Sequence, residues 1–196
     1  MNKKTLYEFS IKEAEKELAE RISDYEEGLV EVSILTDNFT IPPTQKQSNL
    51  KLLEEVKLGA TSGTKTIYKA KKTFKSYIDN DFKNWGLDKR TKATPKTDLF
   101  IYEITEDAIF KEMFTGDLDK LVMTQSQIID FCDKYLSKLI KDSYRTFFLI
   151  KENNEYFVVS VSVNSFDLYV YVVRFENDFV WSAECQHRIV VPQLIS

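Results

Sequence analysis

The chain has 196 residues, 43% hydrophobic and 30% charged, which suits one full core or two small lobes and excludes an intrinsically disordered composition. No run of about 18 apolar residues offers a bilayer span, and residues 1–20 lack the apolar stretch of a secretory signal, so the chain reads as cytoplasmic with no membrane partner. The formal charge of −4 hides an asymmetry: residues 65–96 hold ten basic side chains against three acidic ones, a surplus of seven, which leaves −11 on the rest.

Ser10-Ile11-Lys12-Glu13 has capping-box spacing, and Ile11, Ala14, Leu18, Ile22 and Tyr25 follow at three- and four-residue steps, which predicts an amphipathic helix. Residues 29–35 alternate, with Val30, Val32 and Ile34 on one side, as a half-buried strand does. Residues 37–48 carry Pro42-Pro43 and read as irregular; a short helix follows, with Leu50, Leu53 and Val56 as its apolar face. Gly59-Ala60-Thr61-Ser62-Gly63 is the best linker candidate. Ile67, Ala70, Phe74, Tyr77 or Ile78, Phe82 and Trp85 then make a helical stripe with lysines opposite, and Gly86 is placed to end it.

Residues 89–96 form a basic loop and 99–104 a strand. Thr124-Gln125-Ser126-Gln127 is a second capping-box spacing, ahead of a helix over 125–141 whose stripe runs through Ile128, Phe131, Cys132, Tyr135, Leu136 and Leu139. From Arg145 the period changes to 2. Runs at 146–151, 156–163, 167–174, 179–184 and 188–191, joined by short polar turns, predict antiparallel neighbours. The expected architecture is α+β: amphipathic helices plus a C-terminal five-strand antiparallel β-meander packed on the 125–141 helix. A boundary is expected between a mixed helical and strand region, 1–112, that carries the basic block and a helix-plus-meander region, 113–196.

The single histidine, His187, excludes a mechanism that needs two imidazoles. Cys132 and Cys185 are far apart and flanked by apolar residues, which suits reduced thiols better than a disulfide. Cys185 and His187 alternate in a strand pattern, but a core thiol beside an edge histidine accounts for both. No P-loop, G-x-G-x-x-G turn, G-x-S-x-G elbow or zinc-spaced Cys/His cluster occurs, so no cofactor is implied.

Pro95-Lys96-Thr97-Asp98, just ahead of the 99–104 strand, resembles the proline-to-aspartate half of the PD-(D/E)xK nuclease superfamily. The resemblance implies an Mg²⁺-binding role for Asp98, completed by a downstream acidic residue and lysine. Downstream of Asp98, no lysine has Asp or Glu two positions before it; Glu55-Val56-Lys57 has that spelling but stands upstream, in the predicted short helix.

Two surfaces are candidates for binding. Lys71, Lys72 and Lys75 on the predicted helix, with Lys89, Arg90, Lys92 and Lys96 in the loop after it, can neutralise phosphates or meet an acidic protein surface. Tyr156, Tyr169 and Tyr171, sharing a strand face with Ser160 and Ser162, offer rigid amphipathic contact area. The function this predicts is a non-enzymatic protein-interaction module, an assembly component, adaptor or inhibitor, acting on a protein partner or on itself. The alternative is a nucleic-acid-binding or degenerate PD-(D/E)xK nuclease-like protein.

Overall fold

The structure, a computed structural model, describes residues 49–140, 144–164 and 167–192, all within one compact unit, Ser48–Ser196. The helix predicted behind Ser10, the strand at 29–35 and the irregular stretch 37–48 lie outside the described residues. Strands β1 (Leu50–Leu58), β2 (Tyr77–Ile78), β3 (Thr97–Ile104), β4 (Thr146–Glu152), β5 (Glu155–Asn164), β6 (Asp167–Arg174) and β7 (Arg188–Val191) form one mixed sheet in the order β1-β3-β7-β4-β5-β6-β2. Strands from both sides of residue 113 therefore share it. The α-helices among the described residues are α1 (Asp81–Asn84), α2 (Phe110–Met113), α3 (Leu118–Leu121) and α4 (Gln125–Lys134). None of them is long and apolar enough to cross a membrane.

The five-strand antiparallel meander is corrected to three strands. β4, β5 and β6 pair antiparallel in sequence, but residues 179–184 hold only an isolated bridge from Trp181 to Ala108 and the start of a 3₁₀ turn at Ala183–Cys185. β7 does not extend the meander. It enters between β3 and β4, antiparallel to the first and parallel to the second. Its unbroken apolar run Ile189-Val190-Val191, fully buried on both faces, is what an interior strand requires. Periodicity identifies such a strand and leaves its partners open.

β1 replaces the predicted short helix. A register shift between Leu52 and Glu54 turns the chain over, so Leu50 enters one core while Val56 and Leu58 enter the other. That bulge spaces Leu50, Leu53 and Val56 by three and imitates a helical stripe. As an edge strand, β1 exposes Lys51, Glu55 and Lys57, charges that discourage pairing with a further strand.

The long helix predicted over 67–85 is also replaced: the chain makes a 3₁₀ turn at Ile67–Lys69, then β2, then α1. The open edge of β6 competes for this segment. Ser76 and Asp79 donate their N–H groups to the carbonyls of Leu168 and Val170 at 3.3 and 3.0 Å. Ile67, Phe74 and Phe82 still reach the core, each contributing about 1.5–3 kcal/mol by burial. Gly86 does end α1. At φ +69° it lets its own N–H reach Lys83 O and that of Leu87 reach Phe82 O, while Phe82 and Leu87 enter the same core.

The sheet is covered on both faces. α4 lays Ile128, Phe131 and Cys132 over Leu99, Phe148 and Val190, and α2 and α3 lay Phe110, Met113 and Leu121 over Tyr102, Phe147 and Ile189. Thr124 caps α4, accepting from the Gln127 N–H, and Gln127 returns its side-chain oxygen to the Thr124 N–H.

Candidate functional site

The first turn of α4 organises the basic segment. Ser126 accepts the Lys65 N–H on Oγ at 3.0 Å and donates to the Lys65 carbonyl at 3.1 Å. Gln125 accepts the Ile67 N–H on Oε1 and donates from Nε2 to the Leu87 carbonyl. The residues proposed as a linker, 59–63, are instead zipped onto the basic loop: Thr61 and Thr94 exchange backbone bonds of 2.9 Å in both directions, and the Thr91 N–H reaches Gly63 O at 2.9 Å. These bonds hold Arg90 opposite the loop that carries Lys71 and Lys72.

Between them lies a cleft of about 560 Å³ whose walls include Lys65, Lys69, Lys71, Lys72 and Arg90. Lys65 pairs with Asp130, and Lys69 with Asp88 at 3.3 Å. Lys71, Lys72 and Arg90 are exposed and make no ion pair among the described residues. The acidic wall residue is Asp133, which accepts from Thr73 Oγ1 at 2.8 Å. Thr66 is among the wall residues and only 3% exposed; its Oγ1 is enclosed and has no hydrogen-bond partner among the described residues.

Lys71 also belongs to an adjoining cleft of about 280 Å³, lined by Tyr68, Lys75 and Tyr77. The Tyr77 ring lies 5.0 Å from that of Tyr171. Tyr171 opens a third cleft, about 320 Å³, with Arg145, Phe179 and Trp181 on its walls. The Arg145 guanidinium sits 4.7 Å over the Tyr171 ring and donates to Ser160 Oγ at 3.3 Å. The Asp79 carboxylate beside Tyr77 raises that phenol above its ordinary range, so it stays neutral. Cations line the first cleft, and in the second and third Lys75 and Arg145 stand with Tyr68, Tyr77, Tyr171, Phe179 and Trp181, a track from Arg90 to Trp181.

The basic residues singled out in the sequence separate here. Lys71, Lys72 and Arg90 meet in the first cleft and Lys75 in the second. Lys89 turns away to Glu152 and Asn153 in the β4–β5 turn. Lys92 and Lys96 are exposed and line none of these clefts. Tyr169 and Tyr171 stand opposite Ser162 and Ser160 across β5–β6 and share their face. Tyr156 lies at the far end of β5, where its hydroxyl donates to Asp119 at 2.7 Å under the Lys151 ammonium. A hydrogen bond from Lys151 Nζ at 2.6 Å, together with that from Tyr156, holds the Asp119 carboxyl below its usual range.

Asp98 sits on β3 directly opposite Lys57, with Nζ–Oδ1 at 3.9 Å. Glu55-Val56-Lys57 lies on a neighbouring strand rather than a helix, so Glu55, Lys57 and Asp98 share one face. The Lys57 and Asp98 side chains are 82% and 55% exposed on open surface. Among the described residues, no three His, Cys, Asp or Glu side chains are grouped to hold a metal ion. Cys185 lies in the 3₁₀ turn rather than a strand, while His187 is buried and accepts the Arg145 N–H on Nδ1.

Sequence reasoning missed Thr66, Tyr68, Tyr77, Arg145 and Trp181 as site residues. Tyr68 and Tyr77 were legible as aromatics interleaved with lysines. Arg145 and Trp181 reach the track only through sheet register and a loop. Compared with protein-family models, curated proteins and solved structures, the chain has no significant match.

Proposed function

We propose that the protein is a non-enzymatic binding module that holds a single-stranded nucleic acid along the track from Arg90 to Trp181. The observation that carries this reading is the run of clefts, a basic one joined to two that combine cations with aromatic rings. Lys71 is common to the first two clefts, and the Tyr77–Tyr171 ring contact leads from the second into the third. Cations spaced along a groove neutralise phosphates and release counterions, and tyrosine rings accept bases of any identity by stacking. Stacking on exposed rings needs unpaired bases, which favours a single strand over a duplex.

Fluorescence anisotropy of labelled single-stranded and duplex oligonucleotides tests the proposal. Engaging about four phosphates predicts a loss of roughly 10- to 100-fold in affinity between about 50 and 200 mM salt. Equal or absent binding of both oligonucleotides at low salt would overturn it.

A second reading, a protein-interaction module, draws support from Phe179 and Val180, which are 60% and 56% exposed beside Trp181. It predicts concentration-dependent self-association in sedimentation equilibrium that Phe179→Asp abolishes. A monomer at all concentrations would count against the self-association form of that reading.

A further inference from the structure

We propose that the third cleft reads one base of the bound strand and selects guanine. This rests on the strand reading above and adds the identity of a base, which cations spaced along phosphates do not determine. At about 320 Å³ the cleft is at the small end of ligand pockets, which suits a single base. Its walls carry two charged groups of opposite hydrogen-bonding kind. Arg145 has only donors: its guanidinium lies 4.7 Å over the Tyr171 ring, gives one N–H to Ser160 Oγ at 3.3 Å and makes no ion pair among the described residues. The Asp79 carboxylate has only acceptors: Oδ1 takes the Asp81 N–H at 3.0 Å and Oδ2 the Val172 N–H at 3.4 Å, which fixes the group and leaves each oxygen a lone pair. Asp79 is thus anchored at Val172 and Arg145 over its neighbour Tyr171, in one cleft and one residue apart along β6. Both sides of the Tyr171 ring are engaged, by Arg145 and by Tyr77. Phe179 is the ring left to stack on: it is 60% exposed and packed edge-on against Trp181 at 4.8 Å.

Guanine is the base that matches this pair. Its O6 and N7 form an acceptor pair that a guanidinium fork meets with two N–H groups, and its N1–H and 2-amino group form a donor pair for a carboxylate. Adenine places an amino donor where O6 stands, so it would set donor against donor at Arg145. Cytosine and thymine have no N7 and cannot complete the fork. A phosphate would suit Arg145 but meet the Asp79 carboxylate in the same cleft. The third cleft is therefore assigned to a base, and the phosphates to the cations of the first.

The test uses the full chain and single-stranded ten-nucleotide oligothymidines with one central position varied, read by fluorescence anisotropy. A central guanine is expected to bind about tenfold more tightly than adenine, cytosine or thymine, the discrimination of one bidentate pair. Replacing it by 7-deazaguanine, which lacks only the N7 acceptor, should remove most of that ratio, and hypoxanthine, which lacks only the 2-amino group, should remove part of it. These two probes leave the protein unchanged, so they test the site whether or not a variant folds. Arg145→Lys keeps the charge and loses the fork: it should retain the salt dependence and bring the ratio close to one. Equal binding of the four strands would overturn the guanine site while the track reading stands, and an undiminished ratio with 7-deazaguanine would overturn it as well. Binding of guanosine monophosphate with no gain from a longer strand would uphold the guanine site and overturn the track; binding of neither would overturn both.

Discussion

Ile67 donates its backbone N–H to Oε1 of Gln125 at 2.8 Å, a buried bond that joins residues 58 positions apart. The same side chain donates from its other end to the Leu87 carbonyl, so one amide satisfies two buried backbone groups from opposite ends of the basic segment. Gln125→Ala strands both. At about 1–3 kcal/mol for each unsatisfied group, the variant is expected to lose about 2–6 kcal/mol in urea unfolding. A loss below about 0.5 kcal/mol would mean that the amide does not organise the segment.

Gln125→Glu separates satisfaction from size. One carboxylate oxygen can still accept from Ile67, but the other then faces the Leu87 carbonyl with no proton to offer. The variant is expected to be at least as unstable as Gln125→Ala at pH 7 and to recover part of the loss as the carboxyl protonates at low pH. Identical stability of Gln125→Glu and wild type would show that the bond to Leu87 is absent.

The cations of the first cleft should affect binding and leave stability alone. Lys71, Lys72 and Arg90 are exposed and make no ion pair among the described residues, so their alanine variants should stay within about 0.5 kcal/mol of wild type. Neutralising all three should reduce the salt slope for a single strand by about 2. Lys89→Ala is the control, because that ammonium is held by Glu152 and Asn153 outside the clefts. An equal effect from Lys89→Ala would relocate the binding surface.

Which parts of this were legible in the sequence follows from how local each signal is. The Thr124–Gln127 capping box and the Gly86 helix stop are set within a few residues, and both appear as the sequence indicates. The buried identity of Ile67, Phe74 and Phe82 was legible too, since burial follows from side-chain chemistry. Their path was not: the choice between one helix and an edge strand depended on β6, about ninety residues away. β7 failed for the same reason, because its partners β3 and β4 are chosen by sheet closure. Of the candidate site, the lysines stood out as a charge excess, whereas Arg145 and Trp181 reach it only through sheet register and a loop.

Gly63 tests whether the loop zipper positions Arg90. Its φ of +70° disfavours any side chain, and a β-carbon there would run into the Lys92 and Thr91 carbonyls. Gly63→Ala is therefore expected to cost more than about 1 kcal/mol, and to weaken strand binding although residue 63 itself carries no charge. Thermal denaturation gives the first effect and anisotropy the second. Lowered stability with unchanged affinity would show that Arg90 is held by other means.

His187 makes the fold's stability depend on pH in a defined window. Its ring is buried against Phe147 and Trp181, with centroids at 5.4 and 5.1 Å, and Nδ1 accepts the Arg145 N–H at 3.0 Å. Burial lowers its pKa to about 4, and the Arg145 charge acts in the same direction. The unfolded chain, at the ordinary value of 6.5, therefore takes up the proton first. The stability associated with the neutral ring is fully present above about pH 6.5 and declines as pH falls toward 4, by at most about 3 kcal/mol. Below pH 4 both states are protonated and this contribution stops changing. A His187→Gln variant should be less stable throughout but should lack this share of the decline, measured by urea unfolding at pH 4.5 and 7.0. The same decline in variant and wild type would assign the pH dependence to the carboxylates and leave His187 without a part in it.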